Sequence, residues 1–336
     1  MPEPDARPTG AGGTGTTGGT AAPAATPTPS APAPVGAPTD TIALVAAAEV
    51  SPGGAPPRRL GLPGKVAIGW LVFVVGAALL APILPLDDPN DTIGSIARQG
   101  PGTDGHLLGG DGLGRDLLSR MVWGARSSLL LSVAAIVLGM VVGGLLGLVA
   151  GYFRGRFETV LGGLFDVLLS FPQLILALTV VTVFATGTGV SSTRRMVFLI
   201  VALGVVSIPV LGRIARATTL TWSQREFVMA ARAMGARNRS IMFGEVLPNV
   251  LPAMFSIALL GVAVVIVAEG GLSVLGVGVQ LPTPSWGNII AEGRSDLRDA
   301  PHIVLVPTVA IFLTVLALNY LGDVVRSHFD VRESAL

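Results

Sequence analysis

The sequence of 336 residues contains no cysteine, two tyrosines, three histidines and a single lysine, and only 13% of it is charged. Each shortage removes a class of function. Without cysteine there is no disulfide and no thiolate metal or redox site. The one lysine, Lys65, lies in "LPGKV" and is followed by valine, so the Gly-Lys-Ser/Thr of a phosphate-binding loop is missing. His106, His302 and His328 are far apart and lie in or near loops, which points to structural or solvated roles and supplies no Ser–His pair for hydrolysis. The glycine-rich "GGDGLGR" lacks the GxGxxG spacing of a dinucleotide loop. A net charge of +1 offers no electrostatic case for nucleic acid. Soluble domains are about 25% charged, so a soluble fold is excluded as well.

What the chain has is apolar residues, 51% of the total. Several uncharged runs reach the ~20 residues a helix needs to cross a bilayer core. The expected fold is an all-α, polytopic membrane protein with about six spans. These are residues 66–86; a run after Arg126 to Phe153; a third from Thr159, broken by Asp166; a fourth over Met196–Gly212, continued towards Leu220; a fifth from Leu251 to Glu269; and a sixth over 303–322. Residues 1–57 hold 12 of the 25 prolines and read as a disordered Pro/Gly/Thr/Ala-rich tail. Residues 58–103 would supply the first span and the start of an outer loop, and 104–332 the main transmembrane domain. Arginine and lysine are more abundant in the loops that lie inside when the N-terminus is inside, so both termini are expected in the cytoplasm.

Within the second run Gly139, Gly143, Gly147 and Gly151 recur every four residues, a ridge that lets another helix backbone approach closely. Asp166 is the one carboxylate well inside a span, about 12 Å past Glu158 at 1.5 Å per residue. An intramembrane carboxylate is by default a functional candidate, a pathway or gate residue; a local, purely architectural partnership with Arg213 or Arg216 is the alternative, and the one the residues favour. Glu269 closes the fifth span near the outer face, where it either lines the outer gate or sits at the interface.

Between the fourth and fifth spans lies "SQREFVMAARAMGARNRS", residues 223–240, studded with Arg225, Arg232, Arg237 and Arg239. Ser223 and Glu226 have the spacing of a capping box, and Gly235 falls where a left-handed residue would end the helix. Phe227, Ala230, Ala231 and Met234 lie at i, i+3, i+4, i+7, a narrow and shallow apolar face. Such a face suits a socket in another protein better than a bed of lipid.

These residues also carry a resemblance. "MAARAMG" followed by "VLPNVLP" resembles the cytoplasmic coupling loop of ATP-binding-cassette (ABC) importer permeases, here about residues 218–250. "HLLGGDGLGRDLLSRMVWGARSSLL", "FDVLLSFPQLILAL" and "GVGVQLPTPSWGNIIAEGR" are similar to the C-subunit branch of the dipeptide/oligopeptide (and nickel) permeases. Met229 stands where the general motif has glutamate, and Gly110 where threonine precedes Asp111. The resemblance implies a type I importer permease fold and half of a translocation pathway. It implies as partners a second homologous permease, two ATPase subunits that carry the ATP and Mg, and an extracytoplasmic binding protein; this chain would hold no cofactor and no catalytic or metal site. Short cytoplasmic loops fit an importer. A nickel or other small-solute importer is the nearest alternative, and a stand-alone secondary transporter the next.

Overall fold

The computed structural model describes residues 61–185 and 191–333; the tail expected over 1–57 lies outside them. Among the described residues the ordered elements are helical, with no strand. In chain order they are α1 (Leu62–Leu80), α2 (Leu117–Phe153), α3 (Arg156–Ser170), α4 (Gln173–Ala185) and α5 (Ser192–Trp222). Then come α6 (Glu226–Ala233), α7 (Asn238–Val274), α8 (Trp286–Gly293) and α9 (His302–Glu333).

Five helices, α1, α2, α5, α7 and α9, are long and apolar enough to cross a membrane, and the α3–α4 pair makes six if its two pieces count as one span. That pair is bent by 89°. The cause is local: Pro172 disfavours helical backbone at the residue before it, and Phe171 is extended at φ −84°, ψ 137°. The expected third span is therefore two short helices meeting at a corner.

Helix boundaries differ from those read off the charges. α2 begins nine residues before Arg126, at Leu117, because Asp116 caps it by accepting the Ser119 amide at 2.6 Å. At 37 residues it is about 55 Å long, more than a bilayer core, so its charged first turns need not lie in lipid. α7 runs to Val274, five residues beyond Glu269. Near its start, Ile241–Val246 are π-helical just ahead of Pro248, which has no N–H to give to the ladder.

α2 and α5 form the spine. Gly139, Gly143, Gly147 and Gly151 all face α5: a Cβ on Gly139 would lie 2.8 Å from that of Ser207, one on Gly143 would collide with the Ile208 carbonyl, and one on Gly151 would lie 2.7 Å from the Arg216 carbonyl. The ridge is thus a backbone-to-backbone seam inside this chain. α5 answers it with Gly204 and Gly212, the latter also covered by the Phe165 ring of α3. Around the spine α7, α8 and α9 complete the main apolar core. α1 is pinned to α9 by the Trp70 indole N–H, which donates to the Thr314 hydroxyl at 3.0 Å; Val72, Phe73 and Leu79 on its other sides are exposed.

Candidate functional site

Two candidate regions lie at opposite ends of α2. At its C-terminal end a second apolar cluster gathers Leu148 and Tyr152 of α2, Trp222 of α5, Val228 of α6, and Ile241 and Val246 of α7. Val228 is 0% exposed; burying such a side chain contributes about 1.5–3 kcal/mol. Ala231, one turn on, packs against the same cluster. These two residues seat α6 on its own bundle. Arg232 lies over the Tyr152 ring at 5.3 Å and Arg225 over Trp222 at 5.3 Å, while the Tyr152 hydroxyl donates to Asn238 at 3.2 Å.

The ends of α6 are set differently from each other. Gly235 has φ +84°, and the amides of Gly235 and Ala236 donate to the carbonyls of Arg232 and Ala231. That double bond pattern is a Schellman cap, and its left-handed residue favours glycine. The capping box expected at the other end is absent. Ser223 instead closes α5, its hydroxyl donating to the Leu220 carbonyl at 3.1 Å, and the N-cap of α6 is Arg225 with no side-chain cap. α5 runs on to Trp222, so Ser223 is spent as a C-terminal residue. The helix is consequently eight residues, about 12 Å, shorter than the spacing predicts. Glu226 in the first turn and Arg232 in the last both complement the helix dipole.

The face that α6 turns away from the bundle is Ala230 and Met234, with Met229 beside them and Phe227 at its edge, its ring 6.2 Å from that of Trp222; Met234 is 82% exposed. Ala231 does not belong to that face. Reading i, i+3, i+4, i+7 as one face merged Ala231, which packs inward, with Ala230 and Met234, which point out, and Phe227 at the edge. Val228 was the missing signal, since Val228 and Ala231 form their own i, i+3 pair.

At the N-terminal end of α2 a charged cluster ties the 98–116 segment to α8. Arg115 donates to Asp111 at 2.6 Å and to Glu292 at 2.8 Å, and the fully buried Arg120 donates to Glu292 at 2.7 Å. Arg98 donates to Asp296 at 2.7 Å. Burial pushes the Glu292 carboxyl above its ordinary range, Arg115 draws it back down, and Asp111 adds a further upward push. Gly110 occupies a place where a Cβ would collide with the Ile96 carbonyl, so the threonine of the related motif has no room here. Asp87, His106 and Asp116 bring ligand atoms within 4.8 Å of one another, with Asp116 Oδ1 2.9 Å from the His106 ring and Oδ2 already capping α2. His302 lies 3.4 Å from the Gly110 carbonyl; the side chain of His328 is outside the described residues.

Glu269 is 0% exposed and inside α7 rather than at its end. It accepts from Ser273 at 2.8 Å, Ser285 at 2.9 Å and Ser128 at 3.4 Å. Ser128 also accepts the Trp286 amide at 3.1 Å, and the Trp286 indole donates to the Met121 carbonyl at 3.0 Å. The carboxylate therefore clasps the start of α8 against α2 and α7, and it lines no open gate. Glu269→Ala leaves hydroxyls from three elements short of an acceptor at roughly 1–3 kcal/mol each. Its expected effect is a lower melting temperature of the purified protein in detergent, largely restored in Glu269→Gln. Equal melting of Ala and wild type would contradict the clasp. Asp166, by contrast, is 66% exposed and paired with Arg213.

Comparison with known proteins follows the same lines. Residues 139–334 match the family described as binding-protein-dependent transport system inner membrane component. The chain is 37% identical over 267 residues to a glutathione transport system permease protein of Pectobacterium atrosepticum, covering 79% of this chain and 86% of that one. It is 33% identical over 273 residues to a dipeptide transport system permease protein of Alkalihalophilus pseudofirmus, covering 81% and 86%. It is 36% identical over 274 residues to a di/tripeptide transport system permease protein of Pseudomonas aeruginosa, covering 79% and 88%. Among solved structures, the inward-facing MetNI methionine ABC transporter shares the fold: TM-score 0.51 at 20% identity, over 63% of this chain and 97% of that one.

Proposed function

Since the chain belongs to the family of binding-protein-dependent transport system inner membrane components, we propose that it forms half of the pathway of an ATP-driven importer of short peptides. It is a multi-pass inner-membrane permease component, not itself an enzyme. The cargo follows from its relatives, whose names specify dipeptides, di- and tripeptides, and glutathione; glutathione is itself a tripeptide, so one class covers all three. A metal cargo is not favoured by any of these names. The partners in this proposal are a second, homologous permease, two ATPase subunits and an extracytoplasmic binding protein. ATP and Mg belong to the ATPases, because this chain has no lysine in a phosphate-binding loop. Both termini and α6 lie on the cytoplasmic side.

The observation that carries the mechanism is the two-sidedness of α6. Val228 and Ala231 lock one face to the ends of α2, α5 and α7, while Ala230 and Met234 stand bare and Phe227 borders them against Trp222. A domain that grips the bare face moves α5 and α7 with it, since α6 is joined to both by turns of a few residues. ATP-driven displacement of that domain then becomes a rigid-body shift of the bundle. The test is uptake: the chain, assembled with its partner permease, ATPases and binding protein in vesicles, should accumulate labelled dipeptide only with ATP inside the ATPase-bearing compartment. Accumulation driven by a proton gradient without ATP would overturn the proposal.

A further inference from the structure

α3 has three faces. At 100° per residue, Leu161 and Phe165 point into the bundle and are 7% and 1% exposed. Phe157, Val160, Leu164 and Val167 form an exposed apolar stripe. The third face is Thr159, Gly163, Asp166 and Ser170, at i, i+4, i+7, i+11, all exposed and polar or small. A Cβ at Gly163 would meet nothing within 4 Å, so space opens in front of this face. Across it Arg213 of α5 reaches Asp166, and both partners are open, at 47% and 66% exposed. One turn further along α5, Arg216 donates to Glu158 at 2.9 Å.

This pair is deep. Phe165, beside Asp166, covers Gly212, which abuts Gly143 of α2; Gly143 is ten residues, about 15 Å, from the end of α2 at Phe153. An ion pair this open, on a face of small and polar residues within an otherwise apolar span, does not face lipid; charged groups inside spans face a protein interior or a water-filled cavity. We infer that the polar face of α3, with Asp166 and Arg213, is this subunit's wall of the solute pathway, and that the pair meets the charged ends of a zwitterionic peptide. The pair is the right chemistry for that cargo: a carboxylate for the ammonium end and a guanidinium for the carboxylate end. The contact with peptide rests on the proposed cargo; the position of the wall does not. The apolar stripe, about 110° away around the helix axis, faces lipid or an apolar partner helix.

The absence of cysteine makes the test clean. Thr159→Cys, Gly163→Cys and Ser170→Cys are compared with Val160→Cys and Leu164→Cys in the assembled transporter. A small charged methanethiosulfonate is the probe, and the thiols it leaves unmodified are read on this chain, after denaturation, by the gel shift of a polyethylene-glycol maleimide. The polar-face cysteines should label at least about tenfold faster, a difference of ~1.4 kcal/mol in barrier. Equal rates on the two faces, or polar-face labelling only after denaturation, would overturn the wall. Asp166→Asn should raise KM about tenfold for a free-amine dipeptide while leaving that for its N-acetyl form unchanged; equal loss for both would assign the pair to holding α3 on α5. Labelling is read without peptide. A complex that labels as expected but imports no peptide refutes the cargo alone, and one that imports peptide with inert polar-face cysteines refutes the wall alone.

Discussion

Ala230→Trp is expected to abolish peptide-stimulated ATP hydrolysis by the assembled transporter while leaving this chain folded and inserted. Ala230 lies in the middle of the bare face of α6, between Phe227 and Met234, and its side chain points away from the bundle. Ala230 is exposed, so a bulky ring there is expected to leave the fold intact. It would overfill a socket shaped for a small residue. Overpacking costs roughly 1–3 kcal/mol, which at an interface is roughly a fivefold to 150-fold loss of affinity. Ala231→Trp differs in kind, because Ala231 packs against Val228 and its cluster; that change should lower the melting temperature of the isolated subunit as well. ATPase activity in co-purified complexes, beside melting of the chain alone, separates the two. Normal stimulated activity in Ala230→Trp would mean that the bare face is not the contact.

Gly143→Leu should prevent most of the chain from reaching a folded state. The atoms that a side chain at Gly143 would strike are the Ile208 carbonyl and the Gly212 amide, both backbone. Backbone of a long, packed helix has no alternative rotamer, so α2 and α5 must separate, and everything that hangs on the spine separates with them. The cost lies at or above the upper end of the usual range for overpacking, about 3 kcal/mol. Gly69→Leu on α1 is the control: a Cβ there meets nothing within 4 Å. The measurement is the yield of monodisperse protein after extraction in mild detergent. Low yield for Gly143→Leu beside normal yield for Gly69→Leu is the expected pattern, and equal yields would show that α2 and α5 do not meet as described.

Much of this was legible in the sequence because the strongest signals were local. Uncharged runs located the spans, the four-residue glycine period located the seam, and Gly235 located the end of α6. Boundaries were less legible, since charges inside the long helices were read as membrane edges. Arg120 and Glu269 are both 0% exposed, and what makes that tolerable is remote: Glu292 comes from α8, and Ser128 and Ser285 come from two further segments. No local pattern announces such partners. Ser223 failed for the opposite reason. Its spacing to Glu226 suits a cap, but α5 extends to Trp222 and takes the hydroxyl first. The bend at Phe171–Pro172 was readable from the proline and was hidden by the apolar run around it.

We propose that ATPases on other chains drive this permease component through α6. The most direct test follows peptide uptake and ATP hydrolysis together in the same vesicles, for the wild-type chain and for Ala230→Trp. ATP-dependent dipeptide accumulation is expected in the wild type, with both activities lost together in the variant although the variant is present at the same level in the membrane. Undiminished uptake in Ala230→Trp, or wild-type uptake that continues without ATP, would contradict it.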